Sequence, residues 1–376
     1  INMRLITLIL LISFLSCENK SSESKKIIEK KTLNEPIQWV NYKSKKNSKR
    51  KRVVLISGDE EYRSEESLPQ LAKILTEHHG FDCTVLFAQD PERPGLIDPN
   101  YSFNIPGMEQ LKEADLMVLF TRFRALPEEQ MQHIENFLLK GKPLLAIRTS
   151  THAFNFQNKK HAFAHYGWNY NGNLSFWHLG FGKNILGETW FTHHGHHQHQ
   201  STRGIIAPNA KNHPLVNGIG NGTIWGPSDV YGIRVPMRDD AKSIILGQTI
   251  DRTAPYDKSD PFYGLKESDL IIATENKDST YNPNKEMPPI VWTKSYQIPD
   301  GQKGQSITST IGAATDMVDE EVRRLFVNAT YHLLGLNVPK KAKVDFVGKY
   351  APSAFAFHTD EYWKKKGLKV ESYLWE

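Results

Sequence analysis

Four short, almost wholly apolar runs punctuate the first two fifths of the chain, at residues 53–57, 83–87, 116–120 and 143–147. A strand without a polar face has to be covered on both sides, as in a parallel sheet wrapped by helices. Amphipathic segments fall between the runs. Leu68, Leu71, Ala72 and Leu75 form one stripe, with Ser64 or Ser67 as cap, Pro69 acceptable only in the first turn, and Gly80 as the stop. Pro127 opens a second helix, Glu128 and Glu129 fill its first turn, and Met131, Ile134 and Leu138 share a face before Gly141. The expected class is α/β: three α/β/α layers around a flavodoxin-like, doubly wound, mainly parallel sheet. Further strands are expected at residues 243–247, 289–293 and 306–311, and a last helix at 319–334, with Val322, Leu325, Phe326, Ala329 and Leu333 facing inward.

Two regions break this rhythm. Residues 153–204 form a long irregular insertion rich in Gly, Asn, His and Trp, and insertions of that length in a compact domain tend to carry function. Residues 340–376 form an aromatic-dotted extension, expected to pack on the domain that spans 52–339.

The N-terminus reads as an export signal. Met3 and Arg4 precede an apolar run from residue 5 to 15, too short to span a bilayer. Residues 1–17 end in Phe14-Leu15-Ser16-Cys17, which is similar to a bacterial lipoprotein box with Cys17 as the lipidated residue; an ordinary secretory signal is the alternative. Residues 18–51 read as a flexible basic linker. Twelve Lys/Arg against four Asp/Glu fall between residues 18 and 52, more than the whole net charge of +5, so the remaining body is mildly acidic. Nucleic acid is therefore not an expected partner. The expected location is the bacterial cell envelope, with the membrane met only through the lipid. Cys83 would be the one thiol left after lipidation, and it reads as a small buried hydrophobe.

Ligands of open α/β sheets bind beyond the carboxyl ends of the strands, where strand order reverses. The first strand delivers Asp59, Glu60, Glu61, Tyr62 and Arg63 to that rim; the third delivers Arg122, Phe123 and Arg124; the fourth delivers Arg148, Ser150 and His152. Asp59 and His152 are the candidate acid/base pair, with Arg122 and Arg148 as orienting charges. Glu60, Tyr62, Arg124, Trp177 and His178 are candidate substrate-binding residues. Alternatively, these charges pair with one another and Arg148 ties down a loop. Trp168, Trp177, Trp190 and Trp225 suit sugar faces or a stiffening core equally well. Ser150 lacks the flanking glycines of a nucleophile elbow, and no glycine-rich phosphate loop follows a strand.

The run Trp190-Phe191-Thr192-His193-His194-Gly195-His196-His197-Gln198-His199 packs five histidines into seven positions. His193, His194, His196 and His197 are candidate ligands for a divalent transition metal such as zinc, with Glu188 as a possible oxygen donor. Solvated or backbone-bonded imidazoles are the plainer reading, and no cofactor is required by the pattern.

Taken in order, several segments resemble the ThuA-like (trehalose-utilisation) family of the class I glutamine amidotransferase-like fold. They are Leu55-Ile56-Ser57-Gly58-Asp59-Glu60-Glu61-Tyr62, Gly141-Lys142-Pro143, Arg148-Thr149-Ser150-Thr151-His152-Ala153-Phe154, Asn212-His213-Pro214-Leu215, Val291-Trp292-Thr293 and Arg323-Arg324-Leu325-Phe326-Val327-Asn328-Ala329. The corner at residues 148–152 looks like the place where amidotransferases hold a nucleophilic cysteine, and none is present. Where family members often carry Leu-Gly-His, this chain has Ile311-Gly312-Ala313. The resemblance implies carbohydrate catabolism on a keto-sugar or disaccharide derivative, without amidotransferase chemistry. Three readings stay open: acid/base catalysis on a small sugar, a metal-dependent hydrolase or isomerase using the histidine run, and carbohydrate binding without turnover. Nothing in the pattern sets an oligomeric state.

Overall fold

The computed structural model describes residues 35–45 and 51–375, so the expected export signal, Cys17 and most of the linker lie outside the described residues. In chain order its regular elements are β1 (Trp39–Tyr42), β2 (Arg52–Gly58), α1 (Ser64–His79), β3 (Asp82–Phe87), β4 (Leu116–Thr121), α2 (Glu128–Leu139), β5 (Leu144–Ile147), β6 (Gln200–Ile206), β7 (Ile224–Gly226), β8 (Lys242–Asp251), β9 (Ile271–Ile272), β10 (Pro289–Tyr296), β11 (Gly304–Ser309), α3 (Glu320–Leu333) and α4 (Asp360–Lys366). All eleven strands belong to one sheet, ordered β1-β3-β2-β4-β5-β11-β10-β8-β6-β7, with β9 on β8.

The doubly wound half is the one announced by the apolar runs. β3, β2, β4, β5 and β11 pair in parallel, and the order reverses between β2 and β4. Alternate residues serve opposite faces. Val53, Leu55, Val118, Leu145 and Ile147 join the stripes of α1 and α3, whereas Val54, Ile56, Met117, Leu119 and Ala146 join Met131, Ile134 and Leu138 of α2. The irregular insertion extends that second layer through Phe154, Tyr166, Trp177 and Phe181. Cys83 is free and buried, and burial pushes its thiol up to about 12, in keeping with an inert core residue.

Beyond β11 the expectation of a mainly parallel sheet is modified. β10, β8, β6 and β7 each pair antiparallel with their neighbours. The chain leaves the parallel half after β5 and returns to it through β10, which turns directly into β11 over residues 297–303, a short connection that permits only antiparallel pairing. A second correction concerns the linker. Trp39–Tyr42 forms an edge strand on β3, with Val40 and Tyr42 fully buried, so the folded body starts before residue 52. A third concerns Pro69: α1 begins at Ser64, which puts the proline in the second turn, and Gly80 ends the helix in the left-handed conformation as expected.

The C-terminal extension contributes several side chains to the core. Phe355, Trp363 and Val370 are buried, and Tyr373 stacks on Phe87 with centroids 5.5 Å apart.

Asp319 caps α3 by accepting the Val322 N–H at 2.8 Å, and burial pushes its carboxyl up to about 7. A carboxyl raised above its unfolded value binds more protons in the native state. Its contribution therefore weakens as pH climbs from about 4 through about 7. Asp319→Asn keeps a capping oxygen and should gain thermal stability over the native chain increasingly between pH 5 and pH 8. Asp319→Ala should lose about 1 kcal/mol through the missing cap.

Candidate functional site

The turn after β2 is organised by Asp59. Its buried carboxylate accepts the backbone N–H groups of Glu61, at 2.8 Å, and of Tyr62, while the other oxygen accepts the Thr149 hydroxyl. Both oxygens are thus committed to the fold. Asp59 shapes the turn, and the acidic group presented at the mouth is Glu61.

Glu60 points sideways into a guanidinium clamp, bonding Arg122 through one oxygen and Arg124 through the other, the latter at 2.5 Å. Arg124 is buried and also donates to the carbonyls of Arg122, Pro99 and Tyr101. These two expected ligand-binding residues serve instead to tie the ends of β2 and β4 together. Arg122 stays accessible: its guanidinium sits 4.6 Å from the Phe123 ring and 4.8 Å from Phe357 of the C-terminal extension, with Nε 3.5 Å from Glu61 Oε2. Burial, then the charge of Asp59, pushes the Glu61 carboxyl up to about 7, against the opposing pull of His197, Arg122 and Arg148.

Arg148 leaves β5 with a left-handed φ of 48° and is fully buried. Its guanidinium lies between the rings of Tyr62 (4.4 Å) and Tyr231 (3.8 Å). It donates to Asp229 O at 2.7 Å, Asp229 Oδ1 at 3.1 Å, the Tyr62 hydroxyl at 3.2 Å and the Thr310 carbonyl. Arg148 therefore ties the loop after β7 to the parallel half, and Tyr62 forms one wall of its slot; both are fully buried.

His152 forms the floor of the mouth, its ring 4.8 Å from Phe123 and 5.2 Å from Trp190, with Nδ1 3.2 Å from Thr151 Oγ1. Burial above all, then the charges of Arg122, Arg148 and His193, holds its pKa well below the usual histidine value, so the imidazole is neutral. Ser150 donates to the Leu119 carbonyl at 2.8 Å and is buried, consistent with its rejection as a nucleophile.

The histidine run wraps around Asp229. His193 Nδ1 lies 2.7 Å from Asp229 Oδ2, and His197 Nδ1 lies 3.0 Å from Oδ1. His197 Nε2 then reaches 3.4 Å from Glu61 Oε1. Burial alone would raise the Asp229 carboxyl, but His193, His197 and Arg148 together hold it far below the usual carboxylate range. The other two candidate ligands turn away. His194 Nε2 lies 2.6 Å from the Pro283 carbonyl, on the wall of a separate cavity of about 800 Å³ that Phe191 and Tyr281 also line. His196 stacks on His199 at 4.0 Å. Glu188 pairs with Arg234 at 2.6 Å. Of the four-histidine set, His193 and His197 meet, and their shared neighbour is Asp229.

Two further expectations are revised. Trp177 is core, stacked on Tyr166 at 4.3 Å, and His178 is exposed on the insertion. The tryptophans at the mouth are Trp168, 5.6 Å from Phe123, and Trp190, 5.9 Å from His193. Asp229 and Phe357 carried no sequence signal. Asp229 follows Pro227-Ser228 after a three-residue strand, and Phe357 lies in an aperiodic tail.

No family model matches this sequence, and no curated protein matches it. Among solved structures it is similar to a ThuA-like protein from Bacteroides uniformis, at 14% identity and a TM-score of 0.45, over 77% of this chain and 94% of that one. Another ThuA-like protein, from Parabacteroides merdae, shows 13% identity and a TM-score of 0.44 over 83% and 100% respectively. Likeness at this level carries no inference about chemistry.

Removing one member of a fully buried ion pair strands the other charge. Asp229→Ala, which leaves Arg148 unpaired, should cost about 3–5 kcal/mol in urea unfolding.

Proposed function

We propose that this rim takes a small carbohydrate and moves protons on it, and that the chain is a ThuA-like protein exported to the cell envelope and anchored through Cys17. The observation that carries the reading is the convergence at one mouth of Arg122, His152, Glu61 and His197, from separate stretches of chain, under the rings of Phe123, Trp168 and Trp190. Aromatic faces cover the apolar C–H surface of a sugar ring while charged and imidazole groups meet its hydroxyls. Trp190 Nε1 is buried without a protein acceptor, a donor suited to a ligand oxygen. His152 keeps a neutral imidazole with a lone pair available for a substrate proton, although burial and the nearby cations make it a weak base, and Arg122 is placed to steady a developing oxyanion. With Asp59 confined to its turn, Glu61 supplies the mouth's carboxylate.

Keto-disaccharides and their parent sugars are the substrates to try. His152→Ala should lower kcat by about 100-fold or more. Trp190→Ala should raise KM about tenfold with a smaller change in kcat. Unchanged turnover in His152→Ala would remove the acid/base assignment, and saturable binding without turnover across the panel would leave a carbohydrate-binding protein.

Among the described residues no helix is long and apolar enough to cross a membrane. Attachment therefore rests on the lipid in this reading. Cys17→Ser should move the protein from the membrane fraction to the soluble envelope fraction and abolish labelling by a fatty-acid probe.

A further inference from the structure

We propose that His193 takes a proton from the substrate at Nε2, and that Asp229 is the positioning residue that holds its ring ready to do so. The inference rests on the carbohydrate reading and names a second proton-transfer group in it, beside His152.

Asp229 accepts from three directions: His193 Nδ1 at 2.7 Å, His197 Nδ1 at 3.0 Å and Arg148 Nη2 at 3.1 Å. Burial opposes ionisation there, but His193, His197 and Arg148 outweigh it, so the carboxyl stays charged. An ionised carboxylate only accepts, so the ring nitrogen facing it carries the hydrogen in both histidines. In the neutral ring the lone pair then sits on Nε2, at the edge turned from Asp229. Beyond that point the two imidazoles differ. His197 Nε2 lies 3.4 Å from Glu61 Oε1, so its lone pair meets a carboxyl that burial pushes up to about 7 and that can supply a proton. His193 Nε2 bonds to no group among the described residues, and the His193 side chain is 34% exposed while Asp229 is fully buried. The free nitrogen is thus on the accessible edge of the ring.

His193 shares its neighbours with His152. Its ring lies 5.9 Å from Trp190 and 5.4 Å from Tyr231, and the His152 ring lies 5.2 Å and 6.2 Å from the same two. Electrostatics separates them. Burial, then Arg122 and Arg148, opposes a proton on His152. At His193 the charge that a captured proton brings is met by the Asp229 carboxylate, which Arg148 in turn holds in place. A carboxylate on the Nδ1–H of an imidazole fixes its tautomer and steadies the imidazolium that forms. The proton suited to such a base is one on the carbon beside a keto group. The C–H bond breaks, its electron pair forms a C=C bond, and the carbonyl oxygen takes up the negative charge, for which Arg122 is the available cation. The proton on Nε2 then returns to the neighbouring carbon or departs with a leaving group, so no co-reactant is needed.

Nitrogen-15 NMR of the full chain reads the tautomer without any variant or sugar, and His193 should carry its hydrogen on Nδ1. In heavy water, exchange of the C–H beside the carbonyl of a 3-keto-disaccharide reads the base even where no net product forms. His193→Ala should slow exchange and kcat by about 100-fold or more with KM little changed, and imidazole added to the buffer should restore part of the loss. Asp229→Asn, its fold checked by circular dichroism, should slow both by about 100- to 10,000-fold and move the His193 hydrogen to Nε2. His194→Ala and His196→Ala should react as the native chain does. An Nε2–H tautomer in the native chain would overturn the proposal whether or not sugars react. Full exchange in His193→Ala would overturn it too, and would leave the carbohydrate reading standing on His152 alone. A chain with the Nδ1–H tautomer that neither exchanges nor turns over any sugar would sink the carbohydrate reading, and the base's role with it.

Discussion

The buried contact between Arg148 and Asp229 joins the two halves of this molecule. One partner leaves the end of a parallel strand and the other lies in a loop of the antiparallel extension, 81 residues further along the chain. Neither side chain reaches water, so each charge is tolerable only because the other, two tyrosine rings and several hydrogen bonds surround it. The same carboxylate then orients His193 and His197. A structural requirement, neutralising a buried guanidinium, thereby decides which edge of each imidazole faces the mouth.

Around this contact the rim divides its charged residues into two kinds. Asp59, Glu60, Arg124 and Arg148 are consumed by backbone groups or by one another, and they hold the ends of β2, β4 and β5 at fixed separations. Arg122, His197 and His193 remain partly accessible, and the buried Glu61 carboxyl lies directly behind them, in contact with Arg122 and His197. The C-terminal extension contributes to both kinds. Its Ala356 carbonyl accepts from Arg63 at 2.8 Å and its backbone N–H donates to the Glu61 carbonyl at 3.0 Å, while Phe357 covers Arg122. A segment remote in sequence thus packs against one side of the rim.

Much of the scaffold was legible beforehand because its signals are local. Val53, Leu55 and their neighbours declare a strand covered on both faces, and the stripes of α1, α2 and α3 declare which sides cover it. β6 and β7 escaped notice because Gln200–Ile206, though mostly buried, is spelled largely in polar residues with Arg203 and Gly204 and shows no apolar run, and β7 is only three residues long. β1 escaped because four residues in a charged stretch earn edge pairing only from the strand they happen to lie beside.

By itself the sequence determined the layered α/β scaffold, the strand ends that make up the rim, and a surplus of histidine near it. Only the tertiary structure decided that His193 and His197, but not His194 and His196, share Asp229; that Arg148 is an internal tie; and that Glu61 rather than Asp59 meets Arg122 and His197. The reason is physical. Periodicity is a property of neighbours along the chain, whereas the partner of a buried charge is selected by whichever distant loop the packed sheet brings within hydrogen-bonding distance.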